Sequence, residues 1–232
     1  MKQIIIALLI IITAASCSHT TGSGNVITET RTVDNFDGIT VGGGFDVEVK
    51  TGPVASVVVE ADDNIIKYIR TTVSGGTLRI RTEDLKNYSD VHMKVFITTP
   101  AVNTIKASAS ADVEVLGVLN GQGRLIFKAS SSASIKAEVN APEVESGASS
   151  SATITLRGRT KTHIADASSS ADINAFDLLS ENATAHASSS ANIELHASIS
   201  LNAQASSSGS VDYKGAATVQ KLESSSGSVN KQ

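Results

Sequence analysis

From Ala107 onward one alternation of apolar and polar positions organises the chain. A five-residue motif, Ala-Ser-Ser-Ser-Ala or a near variant, begins at Ala107, Ala129, Ala148, Ala167, Ala187, Ala205 and Glu223, at spacings of 22, 19, 19, 20, 18 and 18 residues. Counted from the first residue of each motif, the seventh position reads Val113, Ile135, Ile154, Ile173, Ile193, Val211 and Val229. Its neighbours are polar: Asp112, Ser134, Thr153, Asp172, Asn192, Ser210 and Ser228 before it, Glu114, Lys136, Thr155, Asn174, Glu194, Asp212 and Asn230 after it. Period-two alternation is the pattern of a half-buried strand. A period of about twenty residues marks a solenoid, in which each repeat is one coil stacked on the last. A disordered serine-rich stalk shares the composition, but disorder has no reason to hold an apolar column in register. The expected fold is therefore all-β, a single-stranded parallel β-helix with coils of about 18–22 residues.

Extending the alternation through the motif assigns its odd positions to the interior. The third-position serines (Ser131, Ser150, Ser169, Ser189, Ser207, Ser225) are then expected to point inward. The second and fourth serines form an outward array: Ser130, Ser132, Ser149, Ser151, Ser168, Ser170, Ser188 and Ser190 are the candidate contact residues, suited to sugars or ordered water. The alternative is that serine is simply small, soluble and tolerant of a tight bend.

Residues 33–105 are less repetitive but still read as β. Phe45, Val47 and Val49 alternate with Asp46, Glu48 and Lys50, and Met93, Val95 and Ile97 alternate with Lys94, Phe96 and Thr98. Asp62-Asp63-Asn64 predicts the cap of one short helix over 65–70, with Ile65, Ile66 and Ile69 on one side. A solenoid has two open edges that invite pairing. This lobe (33–105) is expected to cover the first edge of the repeats (106–232). Lys221, Glu223 and Lys231 interrupt the inward columns and blunt the last.

The N-terminus reads as an address. Lys2, an apolar run from Ile4 to Ile12 and the small residues Thr13-Ala14-Ala15-Ser16 form a secretory signal, and the run is too short to span a bilayer, which takes about 20 residues. The small residues end at Cys17, the one cysteine in the chain. This resembles the lipobox of bacterial lipoproteins, with Ala14 where a Leu is usual. The resemblance implies a signal peptide over 1–16, lipidation of Cys17 and attachment to the membrane through that lipid. Residues 17–32 begin with small polar groups and are expected to form a flexible tether.

Composition narrows the chemistry. Nineteen Lys and Arg against 23 Asp and Glu give a formal charge of −4, which offers no clustered basic face for nucleic acid. One cysteine excludes a disulfide framework and a Cys-based zinc cage. No Gly-x-Ser-x-Gly elbow is present, and Gly42-Gly43-Gly44 lacks the Lys-Ser/Thr that would make it a phosphate loop. His19, His92, His163, His186 and His196 share no metal-ligand spacing and read as isolated surface residues. Asp112, Asp172 and Asp212 are spread along the coils rather than clustered. No catalytic residue, metal ligand or cofactor is assigned.

Arg31-x-Val33-x-x-Phe36-x-x-Ile39-x-Val41, Phe45-Asp46-Val47, Asp63-Asn64-Ile65-Ile66 and Gly76-x-Leu78-x-Ile80 together resemble the head GIN domain of auto-transporter adhesins, found in lipoproteins of Bacteroidetes-type bacteria. The small-residue motif followed by Asp or Ser and then Ile resembles that family's Ser-Gly-Ser-Gly-Asp-Ile repeats, with Ala and Ser here in place of many glycines. The resemblance covers about residues 30–230. It implies a β-helical fold and a cell-envelope location, with the outer membrane expected and its periplasmic or surface face left open, and it carries over no catalytic residue. The expected function is a non-catalytic, lipid-anchored adhesin, recognition or scaffold module. Its partner would be a surface polysaccharide or another envelope protein. The alternatives are a carbohydrate-active β-helix enzyme and a structural protein that assembles as a homo-oligomer through its solenoid ends.

Overall fold

The computed structural model describes residues 19–83 and 87–232. Cys17 and the apolar run before it lie outside the described residues. Two parallel ladders run the length of the molecule. One joins Gly38–Gly42, Thr104–Ser108, Arg124–Ala129, the second halves of Ser134–Ser149 and Thr153–Ser168, then Leu178–Ala187, Ser200–Ala205 and Thr218–Glu223. The other joins Asp46–Thr51, Asp112–Asn120, the first halves of the same two long strands, Asp172–Ala175, Asn192–His196, Ser210–Lys214 and Ser228–Lys231. The seventh-position residues stand directly in register, and all are buried, from 0% exposed at Ile135 to 4% at Val229. Each such side chain contributes roughly 1.5–3 kcal/mol when fully buried. The repeats are therefore a β-solenoid.

The column continues above Val113 through Val47 to Val95, so the coils begin inside the lobe. Gly42-Gly43-Gly44-Phe45-Asp46-Val47 is an earlier copy of the motif, with Phe45 aligned to Ala111 at the buried fifth position. Chain order and stacking order differ here. Thr77–Thr82 and Met93–Thr99 form a coil on the outer side of Gly38–Thr51, while Thr104–Ser108 stacks on its inner side. Beyond this outermost coil the pairing turns antiparallel, with Ser56–Asp62 on Met93–Thr99, Val26–Arg31 on Ser56–Asp62, and Ile69–Ser74 on Thr77–Thr82. These strands cover the first edge.

Three expectations are corrected. Within the expected tether over 17–32, two segments are strand: His19–Thr21 pairs with Asn87–Ser89, and Val26–Arg31 pairs with Ser56–Asp62. The polar residues that suggested flexibility are hydrogen-bonded. Asp62 accepts from the Gly24 and His92 amides, Asp63 from Ser23 Oγ and Asn25 Nδ2, and Asn64 Nδ2 donates to the Thr21 carbonyl. The predicted helix over 65–70 shrinks to one 3-10 turn, Ile66–Tyr68, with no side-chain cap. Asp62–Asn64 is committed to the N-terminal arm, and Ile69 is already extended at φ −82° and ψ 123°.

The third correction concerns the motif itself. Its third and fourth residues have positive φ in all seven copies, 48–63°, and the fifth amide donates to the second carbonyl, as Ala133 does to Ser130 at 3.2 Å. This is a type I′ turn. Two left-handed residues break the inward–outward alternation, so the third-position serines are exposed beside the fourth instead of facing inward. A non-glycine residue in this region is strained by roughly 1–2 kcal/mol. Stacking offsets the strain. The fourth-position amide of each coil donates to the third-position carbonyl of the next, as in Ser132 to Ser150 and Ser151 to Ser169, each at 3.0 Å. The backbone ladder thus runs unbroken through the corner.

Candidate functional site: a serine corner and an adjoining groove

The candidate serines fall into two sets. Ser132, Ser151, Ser170 and Ser190 sit on the exposed corner beside the third-position serines. Ser149 and Ser168 are the last residues of their strands, Ser130 and Ser188 directly follow theirs, and all four are half-buried. The structure therefore presents a ridge at the corner with a separate column beside it, because the turn bends the chain between positions two and four.

Ser130, Ser149 and Ser168 line a groove of about 640 Å³ on the outer face of the first ladder. Its floor is one outward column in which Lys106, Lys128, Gly147 and Asp166 succeed one another, a coil apart. Parallel strands hold neighbours about 4.8 Å apart, so these groups are fixed by the ladder. Lys128 Nζ lies 3.1 Å from Glu145 Oε1, and Arg124 Nη2 and Nη1 reach Glu143 and Glu145 at 2.6 and 3.1 Å. Lys106 has no ion-pair partner among the described residues. The hydroxyls of Ser130, Ser149 and Ser168 likewise make no hydrogen bond among the described residues, whereas Ser108 Oγ donates to the Val41 carbonyl at 3.3 Å. The groove combines two cations, the carboxylates of Glu145 and Asp166, and free hydroxyls on a rigid surface. That arrangement can bind a polar ligand.

The histidines are not all at the surface. His163 is fully buried, in an inward column with Val144 and Ala183, and its Nε2 is 2.9 Å from Ser146 Oγ. Its Nδ1 has no partner among the described residues, and burial pushes its pKa down to about 4. This Ser–His contact is sealed inside the coil, where no substrate reaches it. Counting back by twos from Ala167 assigns His163 to the interior, so the signal was present in the alternation. His92 faces out and contacts Glu60 at 2.7 Å, and His186 is exposed. His196 is half-buried beside Lys214, whose ammonium lies 4.2 Å over the Phe176 ring. Among the described residues no group of three or more His, Cys, Asp or Glu is placed to hold a metal. No described helix is long and apolar enough to cross a membrane.

The far end is closed by charge. Lys221 and Glu223 align under Ala203 and Ala205 of the preceding coil and pair at 3.1 Å. Glu223 Oε1 also accepts the Val229 amide at 2.7 Å, and that bond holds its carboxyl below the usual range. Inward charges on a last coil oppose edge-to-edge pairing.

Comparison with known proteins places this geometry. A crystal structure of a putative adhesin from Bacteroides fragilis superposes with a TM-score of 0.83 at 20% identity, covering 91% of this chain and 98% of that one. A putative adhesin from Parabacteroides merdae gives 0.76 at 20% identity, with 93% and 99% covered. A structure from Parabacteroides distasonis described as a putative lipid binding protein gives 0.74 at 22% identity, with 93% and 100% covered. At these identities the likeness is one of fold. No curated protein matches the chain. Residues 35–217 match a family defined from sequence, and on that match the chain belongs to the family described as "Putative auto-transporter adhesin, head GIN domain".

Proposed function

We propose that the protein is a non-catalytic recognition module of the bacterial cell envelope, anchored through lipid on Cys17, and that the outer face of its solenoid contacts a surface polysaccharide. The groove between Lys106 and Asp166 carries this reading: fixed charges and unpartnered hydroxyls on a face whose backbone groups are already paired within the ladder. Such a face adds affinity through side chains while its shape stays constant, which favours recognition of a repeating polymer. The family's description as an adhesin agrees with this.

Two measurements test it. Labelled palmitate should be incorporated by the wild-type chain and not by Cys17→Ala, and loss of Cys17 should release the protein from the membrane fraction. Immobilised protein should retain purified envelope polysaccharides without shortening them. Shortened chains whose formation stops on substitution of one carboxylate would establish the enzyme reading instead.

A further inference from the structure

Gly147 is a glycine without a conformational reason. Among the described glycines within strands, Gly117 and Gly158 have positive φ. A Cβ at Gly38 would lie 2.9 Å from Thr77 Oγ1, and Gly42, where it would meet only Ser108 Oγ at 3.4 Å, opens the tight corner of its coil. Gly147, inside Ser134–Ser149, has neither constraint, since its φ is not positive and a Cβ there would meet only Lys128 Cγ, at 3.7 Å. A strand-interior glycine weakens the strand and often marks a close approach by a ligand or another backbone. Among the described residues no other backbone lies within 4 Å of that position. The missing side chain leaves a notch between Lys128 and Asp166, at the floor of the groove.

We infer that this notch is the binding site for an acidic glycan. A carboxylated sugar unit lies across Gly147, with its carboxylate at the ammonium groups of Lys106 and Lys128 and its hydroxyls at Ser130, Ser149 and the Asp166 carboxylate. The inference deepens the recognition role proposed above and rests on it. Three features favour a glycan over an acidic peptide. The backbone of this face is saturated within the ladder, so a peptide gains no strand pairing. The hydroxyls of Ser130 and Ser149 can each donate and accept, which suits polyhydroxylated rings. A pyranose unit is also about as long as the distance between coils, so successive sugars meet successive rungs in one register. Arg79, two coils beyond Lys106 in the same column with Thr40 between them, continues the basic track past the groove.

The test is calorimetric titration of the protein with an oligogalacturonate, a neutral malto-oligosaccharide of equal length and poly-glutamate. The oligogalacturonate should bind best, and more weakly as salt is added. The double variant Lys106→Gln/Lys128→Gln should lose at least tenfold in affinity. Gly147→Gln fills the notch and should abolish binding while leaving the thermal midpoint in place. Should Gly147→Gln misfold, the lysine variant decides alone, since both side chains are exposed. Equal binding of poly-glutamate would overturn the assignment to a glycan, as would undiminished binding by Gly147→Gln or by the lysine variant. If the protein retains envelope polysaccharide while Gly147→Gln retains it equally, this site falls and the recognition role stands. If the wild type retains none, both fall.

Discussion

Acidification should destabilise this solenoid through one side chain. His163 is 0% exposed, and burial lowers its pKa from 6.5 to about 4. The unfolded chain therefore binds the proton more readily than the folded one between those values. The sign follows from linkage: stability is full above pH 6.5, falls as pH drops, and levels off below about pH 4. That lowering corresponds to about 3 kcal/mol, of which about 2 is lost by pH 5. Carboxylates titrate over part of the same range, so the measurement is a difference between two proteins. The reference is Ser146→Ala/His163→Val, which removes both members of the buried contact. It leaves neither group orphaned and matches the neighbouring Val144 and Ala165 in size. Urea unfolding at pH 7.5, 6, 5 and 4 should show the wild type losing about 3 kcal/mol more than the reference. The imidazole of His163 should stay neutral by NMR through pH 5. Parallel stability curves, or a His163 resonance titrating near 6.5, would refute the reasoning.

Ser150→Val, at an exposed corner position with φ 54°, should cost about 1–2 kcal/mol because a β-branched residue resists the left-handed region. Ser150→Gly should cost far less, and thermal denaturation compares the two. Ile154→Ala, in the fully buried column, should cost about 2–5 kcal/mol through the cavity it leaves, read from urea midpoints. Lys221→Val with Glu223→Val turns the charged last coil apolar, so sedimentation should show end-to-end association that the wild type does not undergo at equal concentration. A monomeric double variant would show that those charges do not guard the edge.

The spacing of the serine motif determined the coil length, and the alternation around Ile135, Ile154, Ile173 and Ile193 determined the strands and the buried column, because a period of two places residues on one face whatever the neighbours are. The same parity, carried backwards from Ala167, leads to His163 inside, although the residue was read as a surface histidine. It failed at the serines for a physical reason. Two consecutive left-handed residues are permitted there by hydrogen bonds to adjacent coils, such as Ser132 to Ser150, and those partners exist only once the coils are stacked. The lobe was less legible, since residues 77–99 stack outside residues 38–51 although they follow them in the chain, and local pattern carries no information about stacking order. The polar segment over 17–32 read as a tether, but Asp62, Asp63 and Asn64 hold residues 21–25 of it. The notch at Gly147 is likewise a tertiary property. One glycine becomes a gap only when Lys128 and Asp166, 19 residues away on either side, are set against it by the ladder.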